Sequence, residues 1–140
     1  MLKAGMNSLK YLAAYTIPLS AFVGISQGGP WCYLTPVYAF MMIPLLEILL
    51  PEDEHNLEES EKKTQGVNPV YDWMLYANIP IVFGLIWLVG VKVSSSPLEV
   101  SEYLGVALSL GIVLGTNGIN VGHELGHRQS SPERFLGKLL

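Results

Sequence analysis

The chain has 140 residues, of which 50% are hydrophobic and only 14% charged, with 8 Lys+Arg against 12 Asp+Glu for a formal net charge of -4. Ordinary soluble domains carry about 25% charged residues, so this composition excludes a disordered chain and a charged coiled coil, and the acidic balance argues against a nucleic-acid partner. The single cysteine, Cys32, excludes an internal disulfide framework and a cysteine-built metal site. An integral membrane helical protein of all-α class, or a piece of one, is what remains.

The N-terminal run Met1-Leu2-Lys3-Ala4-Gly5 is weakly basic, and the apolar stretch behind it continues too far for a cleavable signal. No charge occurs between Lys10 and Glu47, and the stretch is broken only by the turn-forming cluster Gln27-Gly28-Gly29-Pro30. It predicts a helical hairpin with spans over residues 11–27 and 31–50. The loop 51–72 follows, with the acidic run Glu52-Asp53-Glu54 and His55, and is expected to be a solvated surface. Two further charge-free runs, Trp73–Val91 and Tyr103–Gly122, come close to the ~20 apolar residues that cross a bilayer. They predict spans over 73–93 and 102–122, giving four transmembrane helices. A soluble bundle would need polar faces that these runs lack.

Trp31, Tyr33, Trp73 and Tyr76 fall near expected helix ends, where aromatic rings favour the headgroup level or pack against lipid. Pro18, Pro36, Pro44 and Pro80 predict kinks inside the spans. Gly84, Gly90, Gly105, Gly111 and Gly115 predict close helix approach. With four spans, the N-terminus, the loop 51–72 and the C-terminal segment share one side. That side carries Lys3, Lys10, Lys62, Lys63, Arg128, Arg134 and Lys138, and the other side only Lys92. The positive-inside rule therefore places the termini in the cytoplasm.

Two of the three histidines, His123 and His127, bracket Glu124-Leu125-Gly126 at the cytoplasmic end of the fourth span. At i and i+4 they share one helical face, so both imidazoles can reach one metal ion. The plain alternative is a pair of cations suited to the C-terminal helix dipole. Read literally, the segment is H-E-x-x-H, in which two histidines hold zinc and the glutamate activates water in a membrane metallopeptidase. A third zinc ligand would be required, and His55 in its acidic loop is a poor candidate. Imidazole suits iron as well as zinc, but an iron centre rich in histidine would need several ligands beyond those in this chain. A non-enzymatic membrane subunit is the remaining alternative.

The run Leu108-Ser109-Leu110-Gly111-Ile112-Val113 continues through Asn117 and Asn120-Val121-Gly122 into His123-Glu124-Leu125-Gly126-His127-Arg128. It resembles the membrane-bound alkane 1-monooxygenases, the omega-hydroxylases of the fatty acid desaturase and hydroxylase superfamily. Their first histidine box is an H-E-L-x-H-[KR] segment at the cytoplasmic end of a span. Pro44-Leu45-Leu46-Glu47 and Glu52-Asp53-Glu54-His55-Asn56 resemble a second family segment. The likeness covers nearly the whole chain in layout and is residue-specific over 44–56 and 108–128.

The resemblance implies iron ligation by His123 and His127, an orienting or charge-balancing role for Glu124, and a basic position at Arg128. It implies two irons in the intact enzyme and O₂-dependent hydroxylation of medium-chain alkanes to 1-alkanols. It further implies electrons from NAD(P)H through rubredoxin reductase and rubredoxin, substrate entry from lipid, and a place in the inner membrane. Asn117 and Asn120 are candidates either for fixing the imidazoles or for hydrogen bonds between helices. Gly111, Gly115 and Gly118 are candidates for an alkane channel or for plain packing. Glu47 is expected at the end of the second span, within reach of the His123 layer or pointing into water. Family members continue well beyond the first box with further histidine boxes. Phe135-Leu136-Gly137-Lys138-Leu139-Leu140 resembles the start of another apolar helix. The chain is thus expected to be an N-terminal fragment that does not turn over substrate alone.

Overall fold

The computed structural model describes residues 13–49, 69–95 and 97–140. The readings of Lys3, Lys10, Lys62, Lys63, His55 and the acidic run lie outside these residues. All described elements are helical. A 3₁₀ turn at Ala13–Tyr15 leads into α1, Thr16–Gln27. Helix α2, Gly29–Leu49, opens as a 3₁₀ turn and widens to a π turn at Tyr38–Met42. Helix α3 is Pro69–Ser95, and α4 runs Val100–Gly126 with a π turn at Leu114–Ile119. A short α5, Ser131–Gly137, follows.

Helices α2, α3 and α4 are long and apolar enough to cross a membrane. Their bounds correct the expected ones at several ends. Helix α3 is described from Pro69, a residue that a helix tolerates in its first turn. Residues 69–72 therefore belong to the helix and not to the loop. Helix α4 extends the expected 102–122 in both directions. At its start the Glu99 N–H donates to Glu102 Oε2 at 3.0 Å, satisfying an otherwise unpaired donor. The first expected span, 11–27, is described only from Ala13.

The hairpin between α1 and α2 is where the sequence placed it. Gly28 and Gly29 turn the chain at φ 76° and 58°, which residues with a Cβ rarely adopt. Helix backbones then touch, since a Cβ on Gly24 would run into the Trp31 carbonyl oxygen. Farther along, the Ser20 and Thr35 hydroxyls lie 3.2 Å apart, both buried. Helix α4 joins the hairpin through Gly105, whose Cβ would stand 2.7 Å from Cys32 Cβ. There the Ser109 hydroxyl donates to the Cys32 carbonyl at 2.7 Å.

Ala21, Ile25, Cys32, Val82, Leu85, Val106 and Val113 form one core, joining α1 to α4. Leu75, Val121 and Leu125 form a second, against which Leu136 and Leu140 pack. Phe40, Ile48 and Trp87 point outward, 71%, 81% and 76% exposed, an apolar rim that suits lipid.

Of the glycines expected to bring helices together, only Gly105 does so among the described residues. A Cβ at Gly84, Gly90, Gly111 or Gly115 would meet nothing within 4 Å. The prolines also differ in effect. Pro18 sits in the first turn of α1, where no hydrogen bond is lost. Pro44 follows the π turn of α2, in which the Ile43 N–H reaches back five residues to the Tyr38 carbonyl. That wider turn makes room for a proline ring that would clash with the carbonyl four residues back. At one end of the bundle, Glu102 Oε1 accepts from the Gly29 N–H at 2.6 Å, and Lys92 Nζ donates to the Ser26 carbonyl at 3.3 Å. The opposite end carries the start of α3 and the end of α4.

Candidate metal centre

The last two turns of α4, Asn120–Gly126, bury Val121 and Leu125 and leave the opposite face open. His123 and His127 both lie on the open face. Their rings stack with centroids 6.3 Å apart and planes inclined by 16°. An open groove of about 460 Å³ runs beside them, walled by Ile119, Gly122, Gly126, Gly137 and Leu140. The groove exists because α5 folds back along α4. A Cβ on Gly137 would lie 2.7 Å from the Gly122 carbonyl oxygen and 2.9 Å from the Gly126 nitrogen. The segment expected to start another apolar helix is, among the described residues, this short packed α5 followed by a turn.

Glu124 lies beside Arg128. Its Oε1 is 3.7 Å from Arg128 Nε, and Arg128 in turn pairs with Asp72 of α3 at 2.9 Å. Arg128 is thus joined to the first turn of α3. Beside this pair the Tyr76 hydroxyl donates to Glu133 Oε1 at 2.7 Å, tying α3 to α5. The Glu124–Arg128 contact is legible as an i,i+4 spacing. Asp72 and Glu133 carried no such signal, because their partners are brought near only by helix packing.

Asn117 is buried and belongs to the interhelical reading, not to the imidazoles. Its Nδ2 donates to Asn78 Oδ1 at 2.9 Å and to the Ala14 carbonyl at 3.2 Å. Asn120 and Glu47 are exposed. Gly118 is buried, whereas Gly111 and Gly115 face open space.

Two adjacent imidazoles on one open helical face are donors that iron and zinc accept. The pair fits as part of a ligand set. Among the described residues no group of three His, Cys, Asp or Glu side chains is placed to hold a metal ion.

No protein-family model matches the chain, and no solved structure matches it. Curated relatives do. Alkane 1-monooxygenase 1 of Alcanivorax borkumensis is 34% identical over 125 residues, 88% of this chain and 31% of the relative. Alkane 1-monooxygenase 1 of Pseudomonas aeruginosa is 32% identical over 133 residues, 92% of this chain and 35% of the relative. The xylene/toluene monooxygenase hydroxylase component of Pseudomonas putida is 31% identical over 139 residues, 96% of this chain and 35% of the relative. The chain spans about a third of the length of these relatives. Over nearly all of its own length, it is homologous to members of the alkane 1-monooxygenase family.

Proposed function

We propose that the intact protein containing this chain hydroxylates the terminal carbon of medium-chain alkanes with O₂, giving 1-alkanols. The observation that carries this reading is the His123–His127 pair, open to solvent at the end of a membrane-length helix. It lies in a chain 34% identical to an alkane 1-monooxygenase. In this reading His123 and His127 hold iron of a di-iron centre whose other ligands come from elsewhere in the intact protein.

An alkane has no polar handle, and no acid, base or nucleophile among the side chains can break its C–H bonds. Bound iron supplies the O₂ chemistry, with electrons from NAD(P)H through rubredoxin reductase and rubredoxin. The chain's own residues bind and orient. The imidazoles offer nitrogen donors from a rigid helix, and the Leu125 side chain between them is fully buried and anchors that helix. Glu124 and Asp72 balance the charge of Arg128 next to His127. The groove walled by Ile119 and Leu140 gives an apolar substrate a surface beside the rings, reached from lipid. Arg128, Arg134 and Lys138 at the histidine end, against Lys92 at the other, support a cytoplasmic histidine box in the inner membrane.

The test is metal analysis of the full-length protein together with conversion of octane to 1-octanol under supplied reductant. Two irons per protein with 1-octanol formed is the expected result. One zinc and no hydroxylation would overturn it and make Glu124 the general base of a peptidase.

A further inference from the structure

Helix α4 does not keep one register along its length. Before the π turn its buried positions are Gly105, Val106, Ser109 and Val113. After that turn begins they are Asn117, Gly118, Val121 and Leu125. Three turns of an unbroken α-helix take about eleven residues, so the first set would recur at Thr116, Asn117, Asn120 and Glu124. Each buried position recurs one residue later than that. The extra residue is taken up in the π turn Leu114–Ile119.

The consequence falls on the metal centre. Were the same residues wound as an unbroken α-helix, the last turns of α4 would be rotated by about 100°. Asn120 and Glu124 would face the apolar core, and Val121 and Leu125 would leave it. With the π turn taking up the extra residue, Leu125 is 0% exposed against Leu75 and Leu136, and Glu124 is free to meet Arg128. His123 and His127 turn with the same rotation.

A wide turn needs something to hold it, since its hydrogen bonds are poorer than those of an α-helix. Asn117 lies inside the turn and is 4% exposed. Its two amide protons go to two other elements, Asn78 of α3 and the Ala14 carbonyl ahead of α1. Asn78 is itself held, its Nδ2 donating to the Met74 carbonyl at 2.9 Å. In an apolar interior, each of these partners is costly to lose.

We infer that the π turn of α4, clamped by Asn117 to Asn78 and Ala14, sets which face of the helix presents His123 and His127. Asn117 is then a positioning residue for the metal ligands. The metal part of this inference rests on the iron reading above, and the register part does not.

The experiment separates the two parts. Single cysteines are placed by Glu124→Cys or Leu125→Cys in the full-length protein, in membranes, with Cys32 replaced by alanine and other cysteines removed. A water-soluble maleimide reads their exposure, and iron content is measured in parallel with position 124 native. Position 124 labels and position 125 is protected in the native register. Inserting one alanine after Thr116 gives the turn a second residue to take up and reverses the pattern, changing each rate by about an order of magnitude, and iron is lost. Thr116→Ala keeps both the residue count and the native pattern. If the insertion variant does not accumulate, Asn117→Leu decides, because it keeps the count and removes the clamp. It narrows the contrast between the two positions and lowers iron content. An unchanged contrast in Asn117→Leu overturns the clamp, and an unchanged contrast in the insertion variant overturns the register argument. A changed contrast in a protein that binds no iron even in native form supports the register control and sinks the iron reading alone.

Discussion

The Arg128 guanidinium donates to the Asp72 carboxylate at 2.9 Å, joining the residue after His127 to the first turn of α3. Glu124 reaches the same guanidinium from one turn earlier at 3.7 Å. The histidine-bearing turn is therefore tied down on the side that faces α3, while its imidazoles stay on the open side. Both partners of the short pair are partly exposed, at 23% and 34% of their side-chain area. Their attraction is correspondingly screened.

Asp72→Ala and Arg128→Ala are each expected to lower stability by about 1 kcal/mol or less, as for other solvent-screened pairs. The double variant should cost less than the sum of the two. Thermal unfolding of all four proteins in one detergent gives the coupling, and strict additivity would show that the pair contributes nothing.

Gly137 is the contact through which α5 lies on α4. A Cβ there meets backbone atoms of Gly122 and Gly126, which cannot swing aside as a side chain tip can. Gly137→Val is expected to cost about 1–3 kcal/mol, the usual range for overpacking, and to lift α5 from the groove. Limited proteolysis in the connection 127–130 should speed up. A cleavage rate equal to that of the parent would contradict the packing role.

Gly105 and Gly84 give opposite expectations for one chemical change. The Gly105→Ala methyl would lie 2.7 Å from Cys32 Cβ, so α2 and α4 must part. A loss of about 1–3 kcal/mol follows from the same overpacking. Gly84→Ala meets nothing within 4 Å and removes a flexible residue from a helix interior, a gain of up to about 1 kcal/mol. Melting temperatures should move apart in these directions.

His123→Ala in the full-length protein is expected to lower bound iron and nearly abolish hydroxylation. Insertion and melting temperature should stay near native, because the ring is exposed and packs into no core. His127→Ala should behave alike. Native iron content with native turnover would remove both residues from the ligand set.

Charge spacing and composition alone were enough for the all-α class, the Gly28-Gly29 turn and the helices α2, α3 and α4, whereas the first of the four expected spans is described only as the 12-residue α1, which is not among the three of membrane length. These depend on local properties, namely the absence of charge over a helix length and the positive φ that glycine permits. The i,i+4 pairing of His123 with His127, and of Glu124 with Arg128, was legible for the same reason. Position on a helix face is a local matter only while the helix keeps one register. The π turn at Leu114–Ile119 broke that condition, so which residues of the last turns are buried could not be counted forward from Val113. The partners of Asn117, Arg128 and Tyr76 lie on other helices, and no periodicity in α4 or α3 names them. The glycines made the same point. Gly84, Gly90, Gly105, Gly111 and Gly115 are alike in sequence, yet among the described residues only Gly105 meets another backbone closely, because closeness is a property of two helices and the angle at which they meet.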